Sequence, residues 1–153
     1  MGRDLERIEE KINGFAPQLF AAHSLEEQEL SWIVSQSGFH IDSIKSAPQS
    51  GPDAVELRFS TTSYKNKTYQ IRGGRVLFDA SRHWCVLEFD LNLQLDQPCR
   101  STGRIEYEEV DGFPAPKHYV YDFMATVPDK GFYHRRKTCD IQYTRGKPDR
   151  SGV

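Results

Sequence analysis

The stretch CVLEFDLNLQL, residues 85–95, decides the fold of this chain. Every second position in it is apolar, and the positions between are mostly polar. Side chains alternate between the two faces of a β-strand, so this pattern predicts one long strand with a dry face and a wet face. Parallel strands are buried on both faces, so the alternation favours an antiparallel sheet with one buried face. The apolar positions are Cys85, Leu87, Phe89, Leu91, Leu93 and Leu95.

Length and composition indicate a globular protein with one core. The chain has 153 residues, of which 27% are charged and 37% hydrophobic, and this suits a single stable domain. The net charge of −2 argues against a dedicated nucleic-acid binder, which usually has a basic excess. A local basic cluster favours a charged strand edge that resists aggregation, although it could contact an anionic partner. The cluster is Lys130, Arg135, Arg136 and Lys137.

The compartment depends on how the N-terminus is interpreted. No stretch approaches the roughly 20 apolar residues of a membrane span, and the N-terminus lacks the apolar core of a signal peptide. Taken literally, the chain is cytoplasmic; if it is a trimmed exported protein, it belongs to the periplasm or cell envelope. The odd count of three cysteines argues against a disulfide framework. A single bridge between Cys99 and Cys139 stays open.

Residues 1–36 are predicted to form a helical section. Leu5, Ile8 and Ile12 have helical spacing, and Asn13-Gly14 ends this first helix. Ser24 followed by Glu27 is a capping-box signature, which predicts a second helix from about residue 25 to 36. Both helices are amphipathic, so we expect them to pack on the dry face of the sheet.

Residues 37–145 are predicted to form seven or eight antiparallel strands with short connections. Gly73-Gly74 predicts a tight hairpin turn, and Pro114 and Pro116 predict a turn because neither has an N–H for a ladder. The fold class is therefore α+β, a curved antiparallel sheet on N-terminal helices. Residues 1–145 form one domain, and the polar segment 146–153 is expected to be a disordered tail.

Few residues suggest catalysis or metal binding. Glu106 and Glu108 share a strand face, as a hydrolase with two carboxylates would require, but no apolar pocket to raise one pKa is evident. No histidine motif of a zinc site is present, although a site assembled across strands from His83, His118 and His134 stays open. We therefore predict that the protein is not an enzyme and that it has no catalytic residue, metal site or cofactor.

Aromatic side chains line one face of another predicted strand, at Tyr119, Tyr121 and Phe123. Stacked aromatics on a sheet can bind single-stranded nucleic acid. The acidic balance of the chain opposes that interpretation, and cross-strand aromatic pairs commonly stabilise sheets. We therefore expect these rings to be structural.

The order of several segments resembles uncharacterised bacterial envelope proteins that are similar to the LolA-like lipoprotein-carrier superfamily. The resemblance covers about residues 37–145 and is a pattern of spaced residues. The segments that carry it are Phe39–Ile44, Val55–Phe59, Gly73–Asp79 with Arg82–Trp84, and Ile105–Tyr107 with Asp111–Lys117.

This resemblance implies a half-open β-barrel whose apolar concave face, covered by helices, receives acyl chains. Each buried methylene of such a chain would contribute roughly 0.8 kcal/mol. The expected function is non-enzymatic binding of a hydrophobic ligand, such as a lipid, or of a lipidated partner protein on this concave face, in the cell envelope. The expected ligand-binding residues are Leu87, Phe89, Leu91, Leu93 and Leu95. The alternative is a structural or protein-interaction module whose core is already filled, and a hydrolase using Glu106 or Glu108 is weaker.

Overall fold

The structure, a computed structural model, describes residues 24–25, 28–62, 70–95 and 97–143. Its main feature is an antiparallel sheet of seven strands, in which each strand pairs with the next one along the chain. The strands are β3 (Phe39–Ser46), β4 (Ala54–Thr61), β5 (Gln70–Asp79), β6 (Cys85–Gln94), β7 (Pro98–Val110), β8 (Phe113–Val127) and β9 (Gly131–Asp140). The sheet is open, with β3 and β9 at its two edges. The prediction of an antiparallel sheet with short connections is thus confirmed.

A small N-terminal unit precedes the sheet. It consists of two short paired strands, β1 (Ser24–Leu25) and β2 (Gln28–Glu29), and the five-residue helix α1 (Leu30–Val34). Leu25 and Ile33 are fully buried and belong to the main core cluster. This unit therefore contributes two fully buried side chains to the core, and Leu30 of α1 packs against it as well.

The predicted second helix is wrong in extent. Its first residues, Ser24 and Leu25, pair with β2 instead of starting a helix, and α1 covers only Leu30–Val34. The N-cap position is Glu29, whose side chain makes no capping hydrogen bond. Because strand pairing satisfies the backbone at Ser24, the capping-box signature has no helix to cap. The predicted first helix and the predicted tail at 146–153 lie outside the described residues.

The core lies on one face of the sheet and centres on β6. Phe89, Leu91 and Leu93 are at most 4% exposed, and they pack with buried side chains of β5 and β7 such as Val76 and Ile105. The dry face predicted from the alternating sequence therefore exists over this part of β6. Burial of each of these large side chains contributes on the order of 1.5–3 kcal/mol.

The strict alternation predicted for residues 85–95 fails at one place. The register of β6 against β5 shifts between the pairs Leu77–Glu88 and Phe78–Val86, which is a β-bulge. Val86 and Phe89 both reach the main core, while Leu87 packs against a separate small cluster that contains Leu77. The extra residue of the bulge places Leu87 on the opposite face from Phe89.

Gly73-Gly74 does not form the predicted hairpin turn, because both glycines lie inside β5. The pairing with β6 is irregular here, and Gly73 and Gly74 have φ of 139° and 157°. A Cβ at Gly73 would collide with the carbonyl oxygen of Phe59, and one at Gly74 with that of Asp90. The two glycines therefore allow β5 to lie close to both neighbouring strands.

Pro114 and Pro116 do not break the sheet as predicted. Both lie in β8 and pair with β7, opposite Glu109 and Tyr107. β9 pairs with β8 only from His118 onward, so the first residues of β8 have a strand on one side alone. Proline is tolerated at such an edge because its missing N–H removes no ladder hydrogen bond. The turn is instead the two-residue connection 111–112.

Among the described residues, no helix is long and apolar enough to cross a membrane. All three cysteines are free thiols; Cys85 and Cys99 are buried, and Cys139 is exposed. Cys99 lies on β7 and Cys139 on β9, with β8 between them. The open possibility of a Cys99–Cys139 bridge is therefore not realised in this structure.

Candidate functional site

The five predicted ligand-binding residues do not form one surface. Phe89, Leu91 and Leu93 come together in the main core, where they are at most 4% exposed. Leu87 lies on the other face of the sheet with Leu77. Leu95 follows the end of β6 and is 39% exposed. Only the middle three residues thus share an environment, and it is already packed.

The carboxylates considered for hydrolysis lie on β7. Glu106 is exposed and directly opposite His118 on β8. His118 Nδ1 lies 2.6 Å from Asp140 Oδ1, so this imidazole is held by the neighbouring strand β9. Glu108 is opposite Ala115. The arrangement brings one carboxylate beside one histidine on an exposed strand face.

The other two histidines of the suggested metal trio lie elsewhere. His134 Nε2 is 2.6 Å from Asp122 Oδ1, and His83 stacks on Phe113 in a turn region. In the part of the chain that the structure describes, no group of three or more His, Cys, Asp or Glu side chains is placed to hold a metal ion. The three histidines are therefore separate.

Asp122 is the main polar anchor between β8 and β9. Its side chain is 13% exposed, and both of its oxygens accept hydrogen bonds of 2.9 Å from the Arg136 guanidinium. The Arg136 hydrogen bonds, followed by that of His134, hold the pKa of Asp122 below its ordinary value. This group attaches the edge strand to the sheet.

The wet face of the central strands carries ion pairs that run across the sheet. Arg75 lies 3.4 Å from Glu56 and 3.2 Å from Glu88, while Arg100 binds Asp90 through two nitrogens at 2.7 and 2.6 Å. The Arg100 hydrogen bonds hold the pKa of Asp90 below its ordinary value. These charges are paired with one another across neighbouring strands.

Strand β9 has a different surface from the central strands. It pairs with β8 on one side, and no strand of the described chain pairs with its other side. Eight of its ten residues are exposed. Phe132 is 70% and Tyr133 44% exposed, and the strand carries Arg135, Arg136 and Lys137. An edge of this length with exposed rings and positive charge is a candidate binding surface.

A second candidate surface lies where β6 and β7 separate. Their pairing ends at Glu88–Arg104, and beyond it the Tyr107 hydroxyl donates a 2.7 Å hydrogen bond to the Val86 carbonyl. The Arg82 guanidinium lies 5.9 Å from the centre of the Tyr107 ring. A depression of about 500 Å³ is found at this opening. At this end of the sheet, a hydrogen bond from the Tyr107 side chain therefore joins β6 and β7 where their backbone pairing has ended.

The turn from β5 to β6 has unusual residues at its tip. The Cys85 N–H donates to the Arg82 carbonyl at 3.1 Å, which closes a two-residue turn. His83 and Trp84 at its centre have φ of 54° and 57°. Such turns favour Asn-Gly or Asp-Gly, and the neighbouring turn at Asp111-Gly112 follows this preference. Left-handed backbone costs on the order of 1–3 kcal/mol for each residue other than glycine.

Exposed rings meet at the same end of the sheet. The His83 and Phe113 rings stack with centroids 5.5 Å apart, and Trp84 and Phe113 are 53% and 64% exposed. Phe113 shares a face of the β7–β8 hairpin with Glu108, whose direct partner is Ala115. The Tyr143 hydroxyl donates to the Pro116 carbonyl at 3.0 Å. We call His83, Trp84, Glu108, Phe113 and Tyr143 the aromatic end.

The aromatic end is not evident from the sequence, because the alternation that predicts strands does not show which turns lie side by side in the sheet. The available signal was the absence of glycine and asparagine from residues 79–84, a connection that has to reverse the chain.

No family model, curated protein or solved structure matches this chain.

Proposed function

We propose that this chain is a non-enzymatic protein-interaction module with a filled core, which binds an extended acidic segment of a partner protein along β9. The observation that carries the proposal is the ten-residue edge strand, which has exposed aromatic rings at its start and the exposed or half-buried cationic side chains of Arg135, Arg136 and Lys137 beyond them.

The backbone of an edge strand supplies the affinity in this mode of binding. The outward N–H and C=O groups of β9 can pair with an added strand, as in other proteins that bind peptides by strand addition. β9 is long enough for several such hydrogen bonds, because it extends from Gly131 to Asp140. Side chains on alternate positions then determine which segment binds.

The charge of β9 favours an acidic partner. Its ten residues include three cationic side chains, Arg135, Arg136 and Lys137, against the single anionic Asp140. The whole chain has a net charge of −2, so positive charge is concentrated at this edge. Arg136 is already bound to Asp122, and Arg135 lies opposite Phe123 on the other face of the strand.

The exposed rings distinguish β9 from an edge that is only protected by charge. Cationic side chains alone would discourage edge-to-edge association. Phe132 and Tyr133 do the opposite, because they present large apolar surface at the start of the strand on its two faces. Burial of such rings against a partner segment would contribute to binding.

The packing of β6 supports a filled core. Phe89, Leu91 and Leu93 have almost no accessible surface, so little space lies beside them for an acyl chain. Binding of a hydrophobic ligand, the LolA-like resemblance, the half-barrel with helices over its concave face and an envelope location stay predictions. A lipid that co-purifies with the protein in native mass spectrometry would favour them over the present proposal.

The test uses a ten-residue peptide that alternates glutamate and threonine. We expect it to bind the protein and to shift the amide resonances of Gly131–Asp140 in NMR spectra. The variant Arg135→Glu should weaken binding about tenfold, since a repulsive charge replaces an attractive one. Arg72→Glu makes the same charge change on β5, away from the edge, and should leave binding unchanged.

Two further probes separate strand addition from simple charge attraction. The same peptide with N-methyl groups on alternate residues retains its charge but cannot donate ladder hydrogen bonds, and it should not bind. A ten-nucleotide thymidine oligomer should bind weakly at most. Equal binding of the N-methylated peptide, or tighter binding of the oligonucleotide, would overturn the proposal.

A further inference from the structure

We propose that the aromatic end is a second binding site, separate from β9, and that it takes an arginine side chain of a partner protein. The site would hold the guanidinium against the stacked His83 and Phe113 rings and the Glu108 carboxylate, with Trp84 next to His83 in the same turn.

The members of the aromatic end form a connected group. Trp84 is adjacent to His83, whose ring stacks on Phe113 at 5.5 Å. Phe113 and Glu108 lie on the same face of one hairpin, as diagonal neighbours across β7 and β8. Tyr143 is bonded to the Pro116 carbonyl in β8. Burial, and then the charge of Glu108, raise the pKa of Tyr143.

The rings of this group are presented to solvent. Phe113 is 64%, Trp84 53% and Tyr143 43% exposed. Trp84 also makes an edge contact with the Phe78 ring at 6.4 Å, so one side of the indole is fixed by the protein and the other remains accessible. Exposed rings that are held in place by such contacts form a surface that a planar group can cover.

The charges around the rings favour a cation. Glu106 and Glu108 share the face of Phe113, while the nearby Arg82 is bound to Asp79 at 2.7 Å. A cation over a ring face is attracted by the ring quadrupole. Anionic membrane headgroups would be repelled by the same carboxylates, which argues against insertion of the rings into a lipid surface.

Arginine fits this surface better than lysine. Its guanidinium is planar, so it stacks on aromatic faces, and its forked donors match a carboxylate. Glu108 can accept hydrogen bonds from these donors, and the Phe113 ring, which lies diagonal to it on the same face of the hairpin, can stack on the guanidinium. The neighbouring turn has His83 and Trp84 at positions where Asn-Gly would fit the backbone better, which favours a role for the side chains.

The test uses the peptide acetyl-Gly-Ser-Gly-Arg-Gly-Ser-Gly-amide and the same peptide with citrulline, the neutral isostere of arginine. We expect the arginine peptide to shift the Trp84 indole and Phe113 resonances in a saturable manner, and citrulline to bind about tenfold more weakly. Glu108→Gln should weaken binding of the arginine peptide without affecting binding of the citrulline peptide.

A pair of variants separates binding from folding. His83→Asn with Trp84→Gly gives the turn its preferred residues, so we expect the protein to fold normally and the arginine peptide to bind at least about tenfold more weakly. Trp32→Phe on α1 is the matched control and should leave binding intact. Arg135→Glu on β9 should also leave it intact, because the two sites are separate.

Equal binding of the arginine and citrulline peptides would overturn the inference, and so would unchanged binding to the variant that combines His83→Asn with Trp84→Gly. Binding to vesicles that contain anionic lipid, lost in the same turn variant, would assign these rings to a membrane surface and overturn it as well.

Discussion

Single residues determine how closely the strands of this sheet approach one another. Gly103 on β7 lies directly opposite Phe89 on β6, and a Cβ at Gly103 would overlap the Phe89 ring. The ring thus covers the backbone of its cross-strand neighbour and fills the space that a side chain would occupy. The alternation in residues 85–95 predicts that Phe89 is buried, but it does not predict which residue lies beneath it.

Gly103→Ala is expected to destabilise the protein. The added methyl group forces the Phe89 ring to move within a packed core, and overpacking of this kind costs about 1–3 kcal/mol. Urea denaturation measures the change. Combining Gly103→Ala with Phe89→Leu should cost less than the sum of the two single variants, because leucine removes the overlap. Additive losses would show that the ring and the glycine do not interact.

Substitutions in the strained turn at His83 and Trp84 are expected to stabilise the protein. The double variant His83→Asn, Trp84→Gly is expected to raise the free energy of unfolding by about 1 kcal/mol, since relief of left-handed strain outweighs the lost contacts of Trp84 with Phe78 and of His83 with Phe113. Thermal and urea unfolding check it. A decrease in stability would mean that the two rings hold this end of the sheet together.

At the scale of elements, β9 depends on few anchors. It buries little of its own surface, and Asp122 on β8 joins it through Arg136 and His134. Asp140 and His118 form a second carboxylate–histidine pair. The Asp140 side chain is 82% exposed, whereas that of Asp122 is 13% exposed. The inner pair should therefore stabilise the edge strand more than the outer pair.

Asp122→Asn is expected to accelerate amide hydrogen exchange in β9 by about threefold, because the edge loses a charge-assisted hydrogen-bond pair. Asp140→Asn is the matched control and should change exchange in β9 less. Mass spectrometry of peptides from Gly131–Asp140 compares the two variants. Equal effects would mean that the burial of Asp122 adds nothing to the attachment of β9.

Element boundaries also show how far the sequence predicts the fold. The period-two pattern predicts the strands because burial of one face depends on it. It cannot show where pairing shifts register, so the bulge at Leu87 and the irregular backbone at Gly73-Gly74 were not predicted. The sequence predicts a turn at Pro114 because proline usually interrupts a ladder. Whether a strand can accommodate Pro114 depends on where β9 stops pairing with β8, and this is a property of the assembled sheet. The same dependence explains why the aromatic end, which joins two separate turns, was not predicted.

At the scale of the whole molecule, stability should decrease at acidic pH. Hydrogen bonds from Arg58, Arg100 and Arg136 hold the pKa values of Glu56, Asp90 and Asp122 below their ordinary values. A carboxyl group whose pKa is lower in the folded than in the unfolded protein stabilises the folded state at pH values above its unfolded pKa, which is about 4. That stabilisation is lost as the pH falls through the folded pKa.

We therefore expect the urea midpoint to be nearly constant from neutral pH down to about 5 and to fall below about 4. Asp90→Asn should lower the midpoint at neutral pH and reduce its further fall in acid, because the residue no longer titrates. An unchanged acid dependence in this variant would mean that the Arg100–Asp90 pair makes no net contribution.

The protein is an open sheet with a packed core and two separate exposed surfaces, the basic edge β9 and the aromatic end. The function we propose for the chain, binding of an extended partner segment, depends on β9.

Hydrogen exchange of β9 in the presence of the alternating glutamate–threonine peptide tests this claim most directly. If the peptide adds as a strand, the amides of Gly131–Asp140 that face away from β8 become protected, while those of the opposite edge strand β3 do not. If the peptide binds and β9 exchange is unchanged, the β9 edge is not the binding site.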